Sequence, residues 1–477
     1  TGLIFLELIN EVSKYPLEVI SKLNSMIKGS SIPNQTLYVN LGNELTKMGD
    51  LKSGLLEFDA PRISRPNTYS HDGDNDILNI SSEQVFGENG LLSQAHPNFE
   101  NRPNQQRYAQ MVDDIINDDQ AKGVIEAGTG LGKSMAYLFG AIRKSFDHEE
   151  EGPTLIACHT KHLQDQLFYK DLPKLSEALE TSVKALLIKG RKNYICKTRF
   201  DWFVSDRNNV SVDDIEAILP IIFWLQHTKS GDLSECNGFS NSRKKWITSL
   251  ICSDTGFCTG DICGRNNGCY YGAIRKLMYE ADILVANHSL LLSEAKVPGI
   301  LPEHDSIIID EVHNLVRGGY DQFKVELNHN NVVSLLNSIN PNHPRSKRWN
   351  NILESIGDTE PSLKILKEKL KFELEYIKIS FDKFMEQLAI NNENQFDIGK
   401  AYQERPIIQS LSKEYSSLNK ELSSFLDHSQ RLLVCFTNLR NFVYKVDAKK
   451  TKYLYLHSVL DKGLENINAL NLSLIHI

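Results

Sequence analysis

No stretch of the sequence reaches the roughly 18 unbroken apolar residues that a membrane-spanning helix requires, and no charged segment followed by an apolar run and a small-residue cleavage site opens it. Neither membrane insertion nor secretion is expected, and a cytoplasmic protein is. Basic charge is not in excess, because 53 Lys and Arg against 61 Asp and Glu leave a net charge of -8. That balance excludes a wholesale cationic coat for nucleic acid but not a local basic groove. Cysteine is sparse, eight in 477 residues, yet five of the eight (Cys236, Cys252, Cys258, Cys263 and Cys269) crowd into one short stretch. In a reducing compartment such crowding points to metal before disulfide. Internal repeats of roughly 20 to 50 residues are absent. The chain starts at Thr1 and neither end carries a cap or stop signal, so both ends are expected to be artificial.

With 41% apolar residues the chain can bury more than one core. Residues 1–100 open with Phe5, Leu6, Leu8, Ile9, Val19, Ile20 and Leu23 at helical spacing, and a polar stretch around 65–95 reads as a linker. From 101 to 195, and again from 280 to 319, short β-branched runs alternate with amphipathic helices: Gly123–Ala127, Thr154–Cys158, Ala185–Ile188, Ile283–Ala286 and Ser306–Asp310. This alternation predicts an α/β fold, a mostly parallel sheet wrapped by helices. Residues 196–279, which hold the crowded cysteines, interrupt it as an insertion. Over 320–477 the spacing turns helical, through Leu363, Leu366, Leu370, Leu374, Ile377, Phe381, Phe384 and Leu388, then Leu411, Tyr415, Leu418, Leu422 and Phe425. An antiparallel helix pair packed on itself is expected there, with a coiled-coil oligomer as the alternative and a monomer favoured.

Two segments carry chemistry. Ala127-Gly128-Thr129-Gly130-Leu131-Gly132-Lys133-Ser134 follows an extended run and leads into a helix. Small residues let such a loop bend until its N–H groups face phosphate oxygens, and the helix N-terminus adds a favourable dipole. Lys133 is then expected at the β- and γ-phosphates of ATP and Ser134 on magnesium. Ala127 stands where the usual phosphate loop opens with glycine. The second segment, Ile307-Ile308-Ile309-Asp310-Glu311-Val312-His313, ends an apolar strand in two carboxylates at the sheet edge where open α/β sheets bind ligands. Asp310 is expected to share the magnesium and Glu311 to orient or deprotonate the attacking water.

With both segments in place the chain resembles the DinG/XPD group of superfamily-two helicases, over about 101–318. Glu126 to Ser134 is similar to the group's motif I, in which alanine commonly opens the loop, and Asp310 to His313 resembles its Asp-Glu-Ala-His box with Val312 in place of alanine. Arg102-Pro103-Asn104-Gln105 is similar to the element that reads adenine, with Gln105 as the contact. His159 to Leu167 resembles motif Ia, which implies that Thr160 and Lys161 touch a DNA backbone, and Ala281 to His288 matches a further stretch typical of the group. The resemblance implies a RecA-like ATPase lobe, His313 among the catalytic residues, and a helical arch over 320–477.

Cys196, Cys258, Cys263 and Cys269 supply four thiolates that by chemistry suit either zinc or an iron–sulfur cluster. The tight two-residue knuckle of zinc sites is absent, and the Gly-Arg-x-Asn-Tyr-x-Cys lead-in resembles the 4Fe-4S ligands of DinG proteins, which implies iron. Cys236 and Cys252 remain possible substitutes, whereas Cys158 and Cys435 read as small buried hydrophobes. Around the first cluster cysteine lie Lys184, Lys189, Arg191, Lys192, Lys197 and Arg199, interleaved with Tyr194, Phe200 and Trp202. Cations for phosphates and aromatic faces for bases are what single-strand binding uses, so Lys189, Arg191, Lys192 and Tyr194 are expected at single-stranded DNA or a single-stranded tail. Arg243-Lys244-Lys245 reads as a solvated face.

The expected function is an ATP-dependent DNA helicase motor, with 5′ to 3′ polarity implied by the resemblance alone. A nucleotide-regulated nuclease of the same lineage and a zinc-dependent nucleic-acid-binding module are the alternatives. Residues 1–23 are faintly similar to the tail of an exonuclease domain that some DinG proteins carry. Nothing after 320 resembles the Ser-Ala-Thr or Gln-x-x-Gly-Arg-x-x-Arg elements of a second lobe, so this chain is expected to hold nucleotide but turn it over slowly.

Overall fold

The computed structural model describes residues 2–28, 31–32, 35–47, 68–118, 122–147, 152–205, 211–242, 244–258, 263, 269–304, 306–324, 327–393, 416–447 and 453–476. The chain divides into two compact units, the first formed by Thr1–Phe200, Val212–Ser253 and Asn266–Lys324, the second by Asp201–Ser211, Asp254–Arg265 and Val325–Ile477.

The first unit is built on a five-stranded sheet: β1 (Thr68–Asp74), β2 (Thr154–Cys158), β3 (Thr181–Leu187), β4 (Ile283–Asn287) and β5 (Ile307–Ile309), in the spatial order β1-β3-β4-β2-β5. β3, β4, β2 and β5 run parallel, with Leu155 opposite both Leu284 and Ile307. Every residue of β2 is buried, the run expected of a strand covered on both faces. The sheet is mixed and not wholly parallel, because β1 joins β3 antiparallel. β1 comes from the stretch read as linker. It includes a bulge between His71 and Asp74, and Gly73 lies so close to the Glu180 carbonyl that a Cβ there would sit 2.2 Å from its oxygen. Only glycine allows that approach. Gly123–Ala127 is a second correction: among the described residues it forms no strand and lies outside the ladder, with Val124 89% exposed.

Helices α1 (Pro103–Ile116) and α2 (Lys133–Asp147) pack on each other and on the sheet. Pro103 starts α1 at the first turn, where its missing N–H costs nothing. Within α2, Ala136, Tyr137, Leu138, Phe139, Ala141 and Ile142 are all buried, so the helix that follows the glycine loop is anchored nearly all round. The N-terminal residues form the expected helices Gly2–Ser13 and Leu17–Ile27, with Val19, Ile20 and Leu23 buried but Phe5, Leu6 and Leu8 exposed, and a further helix Gln35–Lys47 follows.

The second unit is helical: α3 (His329–Ile339), α4 (Lys347–Gly357), α5 (Pro361–Glu393), α6 (Ser416–Val446) and α7 (Leu454–His476). Phe381 meets Phe425 at 5.1 Å while Tyr376 stacks on His428 at 5.6 Å, so α5 and α6 run antiparallel as expected. Leu411 and Tyr415 lie outside the described residues. The pair does not stand alone, because Leu456, Leu460, Ile467 and Leu470 of α7 complete the same core. Among the described residues no helix is long and apolar enough to cross a membrane.

Candidate nucleotide site

The glycine loop turns on two left-handed residues, Gly130 with φ +79° and Gly132 with φ +86°. From α1 and the residue before it, the Arg102 guanidinium donates to the Gly130 carbonyl and Gln105 Nε2 donates to the Gly132 carbonyl at 2.8 Å. A side chain at Gly132 would be excluded twice, by the backbone angle and by Gln105 Nε2, 2.2 Å from where a Cβ would stand. Gln105 is 3% exposed. The structure places it as a buttress of the loop, with the amide nitrogen that a base would need already bonded to backbone.

The acidic strand end comes to the same place. Asp310 N–H donates to the Ala157 carbonyl at 3.0 Å, continuing the β2–β5 ladder one step past β5. Glu311 then adopts φ +51°, which for a residue other than glycine costs about 1–3 kcal/mol. The turn directs Glu311 Oε1 to Lys133 Nζ at 2.9 Å, and His313 Nδ1 stands 3.5 Å from the other carboxylate oxygen. Inside the fold the Tyr137 hydroxyl donates to Asp310 Oδ2 at 3.3 Å and also interacts with Ser134. Lys133, Ser134, Asp310 and Glu311 are thus gathered at one end of the sheet, beside the glycine loop.

Electrostatics separate the two carboxylates. The hydrogen bond from Lys133 holds Glu311 below the usual carboxylate range against a smaller opposing effect of burial. Burial pushes Asp310 up, the neighbouring Glu311 charge adds to this, and Lys133 opposes it. His288, at the start of the helix His288–Lys296, is 3% exposed, and burial lowers its pKa. Its Nε2–H donates to the Asp310 carbonyl at 2.8 Å.

Thr160 caps the short helix Lys161–Gln166 by accepting from Leu163 N–H, and Lys161 Nζ donates to Asn193 at 2.6 Å. Gln164 of that helix is fully buried and bonds the carbonyls of Ile188 and Val285. Two expected DNA contacts are corrected. Lys189 is 5% exposed, its ammonium 2.8 Å from Asp232 and 3.3 Å from Asp165, so its charge is already committed. Tyr194 is fully buried, and its hydroxyl accepts from Lys189 N–H at 3.0 Å, so no base can stack on it. The same holds for Phe200 and Arg199, both buried, the latter donating to the Ser249 carbonyl at 2.6 Å. Trp202 packs edge-on against Tyr455. Arg191, over the Tyr271 ring at 4.8 Å, and exposed Lys192 keep their outer faces.

Cys196, Cys236 and Cys252 are buried, and Cys258, Cys263 and Cys269 half-buried. Cys269 Sγ accepts Gly272 N–H at 3.4 Å, the kind of hydrogen bond that stabilises a thiolate. Among the described residues no three His, Cys, Asp or Glu side chains are gathered as a metal site. Cys158 and Cys435 are core residues, and burial with the Asp310 charge pushes the Cys158 thiol up to about 12.

The family described as "Type III restriction enzyme, res subunit" matches residues 98–236. The "ATP-dependent DNA helicase YoaA" of Escherichia coli is 32% identical over 259 residues, 53% of this chain and 39% of that protein. Its Haemophilus influenzae counterpart is 33% identical over 274 residues, 56% of this chain and 41% of that protein. The "3'-5' exonuclease DinG" of Bacillus subtilis is 26% identical over 327 residues, 66% of this chain and 33% of that protein. Over about half of its length the chain is therefore similar to proteins named as ATP-dependent DNA helicases. It spans about two fifths of the length of the YoaA relatives. Tyr137 and His288 are the residues of this candidate site that motif reading missed. His288 lay in a stretch already matched to the family, and Tyr137 gave no signal beyond its helical spacing.

Proposed function

We propose that this chain carries the ATP-binding and hydrolysing lobe, RecA-like in architecture, of a DNA helicase. The observation that carries this is the meeting of Lys133 and Ser134, at the end of the glycine loop, with Glu311 and Asp310, at the end of β5. The backbone from Ala127 through Gly128, Thr129, Gly130, Leu131 and Gly132 would cradle the phosphates, with Lys133 exchanging Glu311 for the terminal phosphate oxygens. Ser134 and Asp310 would hold magnesium, which when bound neutralises charge on the β- and γ-phosphates. The hydroxyl and carboxylate present fit that ion by donor chemistry. Glu311, released from Lys133, would accept a proton from the attacking water, with His313 beside it on the exposed edge.

Thr160, Lys161, Arg191 and Lys192 would meet the phosphates of single-stranded DNA, and the helical unit would act as the arch of a monomeric motor moving 5′ to 3′. Cys196, Cys258, Cys263 and Cys269 would hold a 4Fe-4S cluster within an insertion over 196–279. Four thiols, three of them half-buried and one hydrogen-bonded to backbone, fit such a cluster in donor chemistry, and the sequence spacing supports the assignment. A nuclease reading is kept because the Bacillus subtilis relative is named an exonuclease. In the protein that contains this chain, Lys133→Ala should abolish unwinding of a tailed duplex. Unwinding at the wild-type rate would overturn the helicase reading, and strand degradation that survives while unwinding is lost would favour the nuclease.

A further inference from the structure

The Asp310–Glu311 turn combines a half-buried carboxylate, a left-handed residue other than glycine and two proposed catalytic side chains facing different ways, so something must hold it. Two buried groups do. On the side-chain side, Tyr137, 2% exposed, donates its hydroxyl to Asp310 Oδ2 at 3.3 Å. On the main-chain side, His288, 3% exposed, donates Nε2–H to the Asp310 carbonyl at 2.8 Å, immediately before the Glu311 backbone swings to φ +51°. The Asp310 amide is fixed in turn by Ala157 at 3.0 Å. Carboxylate, carbonyl and amide of one residue are therefore each bonded to a different element: α2, the helix that starts at His288, and β2.

We propose that Tyr137 and His288 are positioning residues that set the Asp310 carboxylate for magnesium and the Glu311 carboxylate for water. The inference rests on the nucleotide-site reading and adds two residues to it. Neither side chain would touch nucleotide. Tyr137 acts through the Asp310 carboxylate and its interaction with Ser134, the other proposed ligand, so it would tune metal affinity. His288 acts through the peptide that orients Glu311, so it would tune turnover as well. A packing role would instead leave the metal dependence of binding unchanged.

The test is magnesium titration of fluorescent ATP-analogue binding by the full chain, with thermal unfolding measured alongside. Tyr137→Phe removes one oxygen and keeps the ring. It is expected to raise the half-saturating magnesium concentration about three- to ten-fold, the size of losing one long hydrogen bond to a charged group, while binding in EDTA stays at the wild-type level. His288→Leu is expected to raise the same midpoint and slow turnover, and His288→Gln, whose amide nitrogen can reach the Asp310 carbonyl, to restore both. If the wild type binds the analogue in a magnesium-dependent manner but Tyr137→Phe and His288→Leu, folded to the same melting temperature, keep its midpoint, the positioning roles are refuted and the nucleotide site stands. If His288→Leu does not fold, Tyr137→Phe decides alone. If the wild type shows no magnesium-dependent binding, the nucleotide-site reading falls and this inference with it.

Discussion

Lys189 gives the sharpest test of how the fold reassigns a residue whose neighbourhood in sequence suggests DNA. Its ammonium lies 2.8 Å from Asp232 Oδ2, with side-chain exposures of 6% and 0%. The other Asp232 oxygen accepts from the Ser234 N–H and hydroxyl at 2.9 and 2.8 Å. Lys189→Met keeps the stem and removes the charge, leaving a buried carboxylate without its cation. Breaking a buried pair in this way costs about 3–5 kcal/mol, a large share of the roughly 5–15 kcal/mol that holds an ordinary domain. Asp232→Asn added to Lys189→Met should recover most of the loss, since the amide oxygen can still accept from Ser234. Burial works to lower the Lys189 pKa, and Asp232 with Asp165 outweighs it, so the folded value stands above the ordinary 10.5. A raised folded value means the stabilisation is complete below 10.5 and is lost only as pH rises through the folded value, so the deficit of the variant should be constant across neutral pH. Urea unfolding followed by tryptophan fluorescence measures the deficit, and single-stranded oligonucleotide binding is measured beside it. Wild-type unfolding with at least tenfold weaker binding would refute the assignment of Lys189 to the interior.

Three further outcomes follow from the same geometry. The Glu294 carboxylate accepts from the N–H groups of Gly299, Ile300 and Leu301 at 2.8, 2.7 and 2.8 Å. Burial pulls its pKa up, and these bonds outweigh that and hold it below 4.5, so its contribution is present above 4.5 and lost as pH falls through the folded value. Glu294→Gln should cost about 1–2 kcal/mol in urea unfolding at pH 7, the difference shrinking as the pH falls through the lowered folded value. Gly132→Ala should abolish binding of a fluorescent ATP analogue through both the left-handed angle and the Gln105 amide. Serine at Cys196, Cys258, Cys263 or Cys269 should each lower the iron content of anaerobically purified protein, while Cys158→Ser leaves it unchanged. Stoichiometric zinc in place of iron would overturn the cluster assignment.

Much of the sheet was legible because buried parallel strands are short apolar runs: Thr154–Cys158, Ile283–Ala286 and the isoleucines before Asp310 announce themselves. β1 was not, since Thr68–Asp74 is polar on an edge and pairs with a strand more than a hundred residues away. Gly123–Ala127 erred the other way, its residues meeting the strand pattern while its chain stays outside the ladder. The motif residues were legible because their chemistry is local to a few positions, and the fold brings both segments to one edge. What motifs could not convey was which neighbouring cations face outward. Lys189 and Lys192 look alike in sequence, but the Asp232 carboxylate, 43 residues on, together with Asp165 holds Lys189 in the interior. Likewise nothing local marks Tyr137 as the partner of Asp310, 173 residues away.

The proposed nucleotide site joins the glycine loop and the end of β5 around one magnesium ion. A crystal structure of the chain with a non-hydrolysable ATP analogue and manganese, the ion located by its anomalous signal, tests it most directly. Manganese is expected between the Ser134 hydroxyl and the Asp310 carboxylate, with Lys133 moved from Glu311 onto the terminal phosphate. Manganese and analogue bound elsewhere, with the Lys133–Glu311 contact intact, would contradict it.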